Sequence, residues 1–235
     1  MGSAPGSSAT RDREYVHAME PIRFYFDFIS PYAYLAWTQI AGIAGRRGRQ
    51  VELVPTLFAG LLEANGQLGP AEIPRKRSYI FKDTARIAHL LGVVLRPPPA
   101  HPFNPLLGLR VCSADLTPDL RARAVDTLFR AVWAGGPGIT EPATVQRLLD
   151  DAGLDGAGLV AAAASDPIKH RVRAQTEDAL ARGAFGVPTL VVDGELFWGV
   201  DSLPHVERRL DGLDPIDSLD VAAFLAMPAQ AIRRR

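Results

Sequence analysis

The sequence predicts an α/β fold in which one mixed sheet is split by a large all-helical insertion. Two observations carry this. Runs rich in β-branched and aromatic residues lie near both ends of the chain, at 22–28 and 50–56 and again across 187–199, while 57–182 between them holds only helical patterns and breakers. The first two runs also flank one helical stretch, which is the spacing of a βαβ unit with a parallel return strand.

Each element has its own reason. IRFYFDF, 22–28, alternates and reads as a strand. Ser30-Pro31 then punctuates the chain. Serine is a favoured helix N-cap, and proline at the first helical position loses no hydrogen bond, so Tyr32 to Arg46 is a helix. QVELVPT, 50–56, is the second strand. Leu57 to Ala64 is a short helix, and Arg75 to Leu91 places Tyr79, Ile80, Ala85, Ile87, Ala88 and Leu91 on a rough helical face. The proline-rich loop LRPPPAHPFNP precedes helices over Leu106–Ala114, Pro118–Ala134, Pro142–Ala152, Gly156–Ala164 and Pro167–Arg182. VPTLVVDGELFWG, 187–199, is a hairpin around Asp193-Gly194, because Asp-Gly suits the tight turn between two strands. Ser202 to Leu210 is a closing helix.

Composition limits the function. The chain has 235 residues, with 26 basic and 26 acidic side chains and no formal net charge. That gives no electrostatic case for nucleic acid or an anionic membrane. The clusters Arg46-Arg47-Gly48-Arg49 and Arg233-Arg234-Arg235 read as solvated loop and tail charges. The single cysteine, Cys112, rules out a disulfide within the chain and a thiolate metal cluster, and its apolar surroundings suggest an inert core residue. It fits a reducing, cytoplasmic setting. The five histidines, at 17, 89, 101, 170 and 205, show no metal-ligand spacing. No stretch is apolar enough for a membrane span. Residues 1–20 read as a disordered extension, with Met19 as an alternative start, and 213–235 as a tail.

Three separated features converge on chemistry. Ser30-Pro31-Tyr32-Ala33 opens a helix, where free amides and a partial positive charge stabilise an anion. Gly186-Val187-Pro188-Thr189 puts a proline just before a strand. A cis bond explains it, since proline cannot donate to a central ladder. Trp198-Gly199-Val200-Asp201-Ser202 runs from a strand end into a helix start, where Asp201 or Ser202 caps the helix, or the Asp201 carboxylate instead meets a ligand ammonium.

With these motifs in hand, the chain resembles a known family. FYFDFISPYAYLA together with FGVPTLVVDGELFWGVDSL is similar to 2-hydroxychromene-2-carboxylate isomerase and to kappa-class glutathione transferase, on a DsbA-like thioredoxin fold. PRKRSYIFKD and HPFNPLLGLR resemble that family's insertion, and the likeness spans roughly residues 21–212. It implies a thioredoxin-like domain made of 21–56 and 183–212, with 57–182 as the insertion. It also implies glutathione as the cofactor, supplying the thiol that the active turn lacks. Ser30 would hydrogen-bond the sulfur, aided by the helix start at Pro31 and Tyr32. Val187, before Pro188, would pair with the cysteinyl backbone, and Val200 and Asp201 would hold the γ-glutamyl end.

The family's asparagine after the second strand maps to Asn65 or to Gln67, with spacing counted to Pro74. Lys76 and Arg77 are candidates for a carboxylate. Asn104, Tyr34 and Trp198 are candidates for the substrate, although Asn104 also reads as a turn residue and Tyr34 as packing. The implied activity is isomerisation of 2-hydroxychromene-2-carboxylates, small aromatic substrates, to o-hydroxybenzylidenepyruvates in aromatic degradation, by a homodimer. A kappa-type transferase and a non-catalytic glutathione-binding module are the alternatives.

Overall fold

A computed structural model describes residues 20–228 of the chain. Residues 1–19 of the expected N-terminal extension, with His17 and Met19, and the Arg233–Arg235 cluster lie outside the described residues.

Strand β1 (Ile22–Phe26) leads into helix α1 (Pro31–Gly45) and then strand β2 (Val51–Pro55). Helices α2 (Phe58–Ala64), α3 (Pro74–Leu91), α4 (Leu106–Cys112), α5 (Pro118–Trp133), α6 (Pro142–Asp151), α7 (Gly156–Ala163) and α8 (Asp166–Ala181) follow. The hairpin β3 (Thr189–Val192) and β4 (Glu195–Trp198) comes next, then α9 (Leu203–Leu210) and a short helix α10 (Ala222–Leu225). The sheet order is β2-β1-β3-β4. β1 and β2 are parallel, and β3 runs antiparallel to β1 and to β4.

The alternation in β1 decides what each face of the sheet carries. Ile22, Phe24 and Phe26 face the larger core together with Leu53, Leu190 and Val192. Tyr25 faces the other way with Val54 and Val191, against Leu61 of α2 and Ala179 of α8. The larger core is continuous with the insertion: Phe129 of α5 lies 5.5 Å from Phe26 and 4.7 Å from Phe28. The boundary expected at 182 therefore cuts through packing. α8 covers the sheet, and Asp178 on it accepts the Tyr25 hydroxyl at 2.6 Å. Sheet and insertion share one apolar core, as their mutual burial requires.

β1 ends two residues before the expected 28 because the chain turns at Asp27. The Asp27 carboxylate accepts the Ile29 amide at 3.1 Å and the Phe58 amide at 2.9 Å, so both βα turns close on one buried side chain. The hairpin forms as expected. Asp193 and Gly194 take φ of 49° and 82°, the left-handed pair that matches strand twist. Arg49, 9% exposed, anchors it by donating to Asp193 and to the Glu20 carbonyl.

Candidate functional site

The site forms where α1 starts. Ser30 is extended at φ −93° and ψ 115°, and its Oγ accepts the Ala33 amide at 3.1 Å. That bond satisfies one of the helix's orphan donors. Pro31 takes the first helical position, and no acidic residue sits in the first turn. The positive end of a 15-residue helix thus meets Ser30 without a competing carboxylate on its own turn.

Val187-Pro188 is cis, and the Ser30 hydroxyl donates to the Val187 carbonyl at 3.3 Å. Two motifs 157 residues apart in sequence thus share one hydrogen bond. The turn into Pro188 is braced by Thr189 Oγ1 donating to the Gly186 carbonyl at 2.7 Å and by the Gly199 amide donating to the Pro188 carbonyl at 2.9 Å. Trp198 pairs across the ladder with Thr189, and its ring packs at a tilt against Phe185 with centroids 5.0 Å apart. It also lies so close over Gly186 that a Cβ there would meet its Nε1 at 2.6 Å, so a larger residue at 186 would have to displace the indole. Trp198 is 53% exposed beside this turn.

Val200 and Asp201 lie in a short 3-10 turn before α9. Val200 is buried, and Asp201 is exposed and close enough to help raise the Tyr32 phenol's pKa. Burial is the largest cause of that rise, followed by the Tyr32 hydroxyl's 2.8 Å bond to Asp83, so the phenol keeps its proton. Ser202 rather than Asp201 precedes α9, and its Oγ donates back to the Gly199 carbonyl at 2.8 Å.

The remaining candidates are scattered. Asn65 is exposed and donates to the Leu61 carbonyl at 2.8 Å, closing α2. Gln67, Pro74 and Lys76 are exposed, with Pro74 opening α3. No hydrogen bond among the described residues ties these four to the Ser30 turn. Arg77 donates to the His101 carbonyl at 2.9 Å and sits 5.6 Å over the Phe81 ring. Asn104 is exposed, and its Oδ1 accepts the Leu106 amide at 3.0 Å at the start of α4. Tyr34 is a correction. It is 2% exposed and its hydroxyl is spent on the Val94 carbonyl at 2.9 Å, which removes it from the substrate-facing candidates. Cys112 is fully buried, and burial pushes its thiol well above the ordinary range.

Two residues of the site escaped the sequence reading. Asp27, 1% exposed, lies beneath the turn, and its backbone carbonyl accepts the Ser30 amide at 3.1 Å. Burial pushes its carboxyl up to about 7, against the pull of the Phe58, Ile29 and Phe28 amides, which favour the charged form. The available signal was an acidic residue inside an otherwise apolar strand end. His101, in the proline-rich loop, meets the Ile29 carbonyl at 3.0 Å.

Comparison with known proteins shows the family of the fold. The family model "DSBA-like thioredoxin domain" matches residues 21–211. A 2-hydroxychromene-2-carboxylate isomerase from Pseudomonas putida is 30% identical over 198 residues, covering 82% of this chain and 95% of that protein. Glutathione S-transferase kappa 1 from Homo sapiens is 25% identical over 208 residues, covering 80% of this chain and 90% of the relative. The solved structure of a 2-hydroxychromene-2-carboxylate isomerase superposes with a TM-score of 0.77 at 26% identity, covering 85% of this chain and 98% of that one.

Proposed function

We propose, on the premise that this chain belongs to the DSBA-like thioredoxin family and to its 2-hydroxychromene-2-carboxylate isomerase branch, that it is a glutathione-dependent isomerase. Its substrates are 2-hydroxychromene-2-carboxylate-type compounds and its products o-hydroxybenzylidenepyruvates, formed during degradation of aromatic compounds. The observation that carries the reading is the Ser30 hydroxyl, set between the start of α1 and the Val187 carbonyl ahead of cis-Pro188.

The donor set fits a thiol cofactor. The turn holds a hydroxyl, helix-start amides and an extended backbone, but no sulfur of its own. When bound, glutathione supplies the sulfur nucleophile that adds to the conjugated substrate and leaves again, so it is a catalyst and is not consumed. Ser30 turns its hydroxyl hydrogen from the Val187 carbonyl toward the sulfur and favours the charged form, with the α1 dipole acting in the same sense. Val187 pairs with the extended cysteinyl backbone, a strand addition of one residue. Asp201 faces the γ-glutamyl ammonium beside Val200. Asn65, Gln67, Pro74 and Lys76 remain candidate contacts for the rest of the tripeptide, and Asn104 and Trp198 for the substrate.

The kappa transferase is the second reading, supported by the human relative. Turnover of 2-hydroxychromene-2-carboxylate with substoichiometric glutathione separates the two. An isomerase converts many substrate molecules per glutathione and leaves the thiol titre unchanged, whereas a transferase consumes one thiol per product. Binding with neither reaction leaves a glutathione-binding module. A cytoplasmic homodimer is part of the proposal, and sedimentation tests the dimer. No helix among the described residues is long and apolar enough to cross a membrane.

A further inference from the structure

The geometry points to His101 as a positioning residue for the Ser30 turn: its ring N–H, bonded to the Ile29 carbonyl, lets the helical insertion set the orientation of the Ser30 hydroxyl and the first free amides of α1. The inference rests on the proposed function only in taking Ser30 as the site of the reacting sulfur.

Nε2 of His101 lies 3.0 Å from the Ile29 carbonyl oxygen, and a carbonyl can only accept. The hydrogen is therefore on Nε2, and Nδ1 carries a bare lone pair. Nδ1 is also the one buried side-chain polar atom without a partner among the described residues. Leaving a buried acceptor unpaired is costly. The ring sits among Phe81 at 5.3 Å, Trp133 at 5.6 Å and Phe103 at 6.4 Å, where a phenylalanine would pack without that cost. Packing alone does not call for histidine here. The Nε2 donor does.

The donor matters because of where its acceptor lies. The peptide unit between Ile29 and Ser30 is planar, so holding its carbonyl holds its amide on the opposite side. That amide is the Ser30 N–H, which donates to the Asp27 carbonyl at 3.1 Å. One residue earlier, Trp133 Nε1 donates to the Phe28 carbonyl at 2.8 Å. Two consecutive carbonyls of the turn are thus gripped by side chains of the insertion, 72 and 105 residues away in sequence. His101 is itself held by Arg77, which donates to its carbonyl at 2.9 Å. Burial is the largest influence on the His101 pKa and lowers it; the Ile29 bond opposes this and the Arg77 charge adds to it, so the net direction favours the neutral ring.

The test needs neither glutathione nor substrate, so it stands apart from the proposed reaction. Ser30→Cys places a reporter thiol at the site, while Cys112, buried and held protonated, stays silent to alkylation. The pH dependence of iodoacetamide alkylation then reads the acidity that the turn confers. The Ser30→Cys thiol is expected to titrate below the ordinary ~8.5. Adding His101→Phe should raise the midpoint by about half a unit or more, and adding His101→Gln, which restores an N–H donor, should recover most of that shift. A role limited to stability would move the melting temperature and leave the midpoint alone. An unmoved midpoint in a folded His101→Phe variant overturns the proposal, as does an equal shift in both variants. In the wild type, the imidazole nitrogen shifts by NMR should show the Nε2–H tautomer, with no titration near pH 6.5. An Nδ1–H ring, or ordinary titration, overturns it without any substitution.

Discussion

The Ser30 hydroxyl donates to the Val187 carbonyl at 3.3 Å, and this bond joins the start of α1 to the cis-proline turn ahead of β3. The same oxygen accepts the Ala33 amide, so it acts as helix cap and as bridge. A ligand sulfur placed between the two turns would take over the donated hydrogen and keep the cap.

Ser30→Ala separates these roles. Losing the cap should cost about 1 kcal/mol of stability, read from urea unfolding. Losing the donor to sulfur should lower glutathione-dependent turnover by more than about tenfold. A turnover loss no larger than the loss of folded protein would leave Ser30 a cap alone.

Asp27 should tilt stability with pH. Its carboxyl titrates near 3.8 in the unfolded chain and at about 7 when buried. Between those values the folded state holds a proton that the unfolded state releases, so this contribution is complete below pH 4 and is lost as pH rises through 7. Unfolding free energy should therefore be higher at pH 5 than at pH 8. Asp27→Asn should flatten that slope while lowering stability overall, because its amide turns a donor toward a backbone N–H. The same slope in both proteins would contradict the assignment.

Arg49 ties the start of β1 to the hairpin tip. It is buried, while Asp193 is partly exposed, so Arg49→Ala should cost about 2 kcal/mol, less than a fully buried pair would. Arg49→Lys should recover less than half, since one ammonium cannot replace the guanidinium fork that serves both Glu20 and Asp193. Chemical denaturation of the three proteins decides it.

Tyr32 should be a neighbour of the chemistry and not its acid. Its proton is held by burial and by Asp83. Tyr32→Phe should keep kcat within about threefold and leave the pH–rate profile in place. A profile that loses a limb would give the phenol a catalytic role.

Much of the scaffold was legible because its signals are local. Ser30-Pro31 writes a helix start, Asp193-Gly194 writes a tight hairpin, and Pro188 before a strand writes a cis turn. The second tier was not local. His101 reaches Ile29 only because the insertion folds back over the active turn, and no spacing in the sequence announces a contact across 72 residues. Asp27 was hidden for the opposite reason: it lies inside the quoted motif, but its partner Phe58 belongs to the next βα turn. Tyr34 allowed two readings, substrate contact and packing, and the structure takes the second: α1 turns it inward, toward Phe129 and the Val94 carbonyl.

The central claim is that the Ser30 turn works with a borrowed thiol. Calorimetric titration with glutathione, run in two buffers of different ionisation heat on the wild type and on Ser30→Ala, tests it most directly. The account predicts one site per chain in the wild type, with a proton released as the sulfur ionises. It predicts weaker binding, with that release lost, in Ser30→Ala. No binding to the wild type, or equal affinity and equal proton release in both proteins, would contradict it.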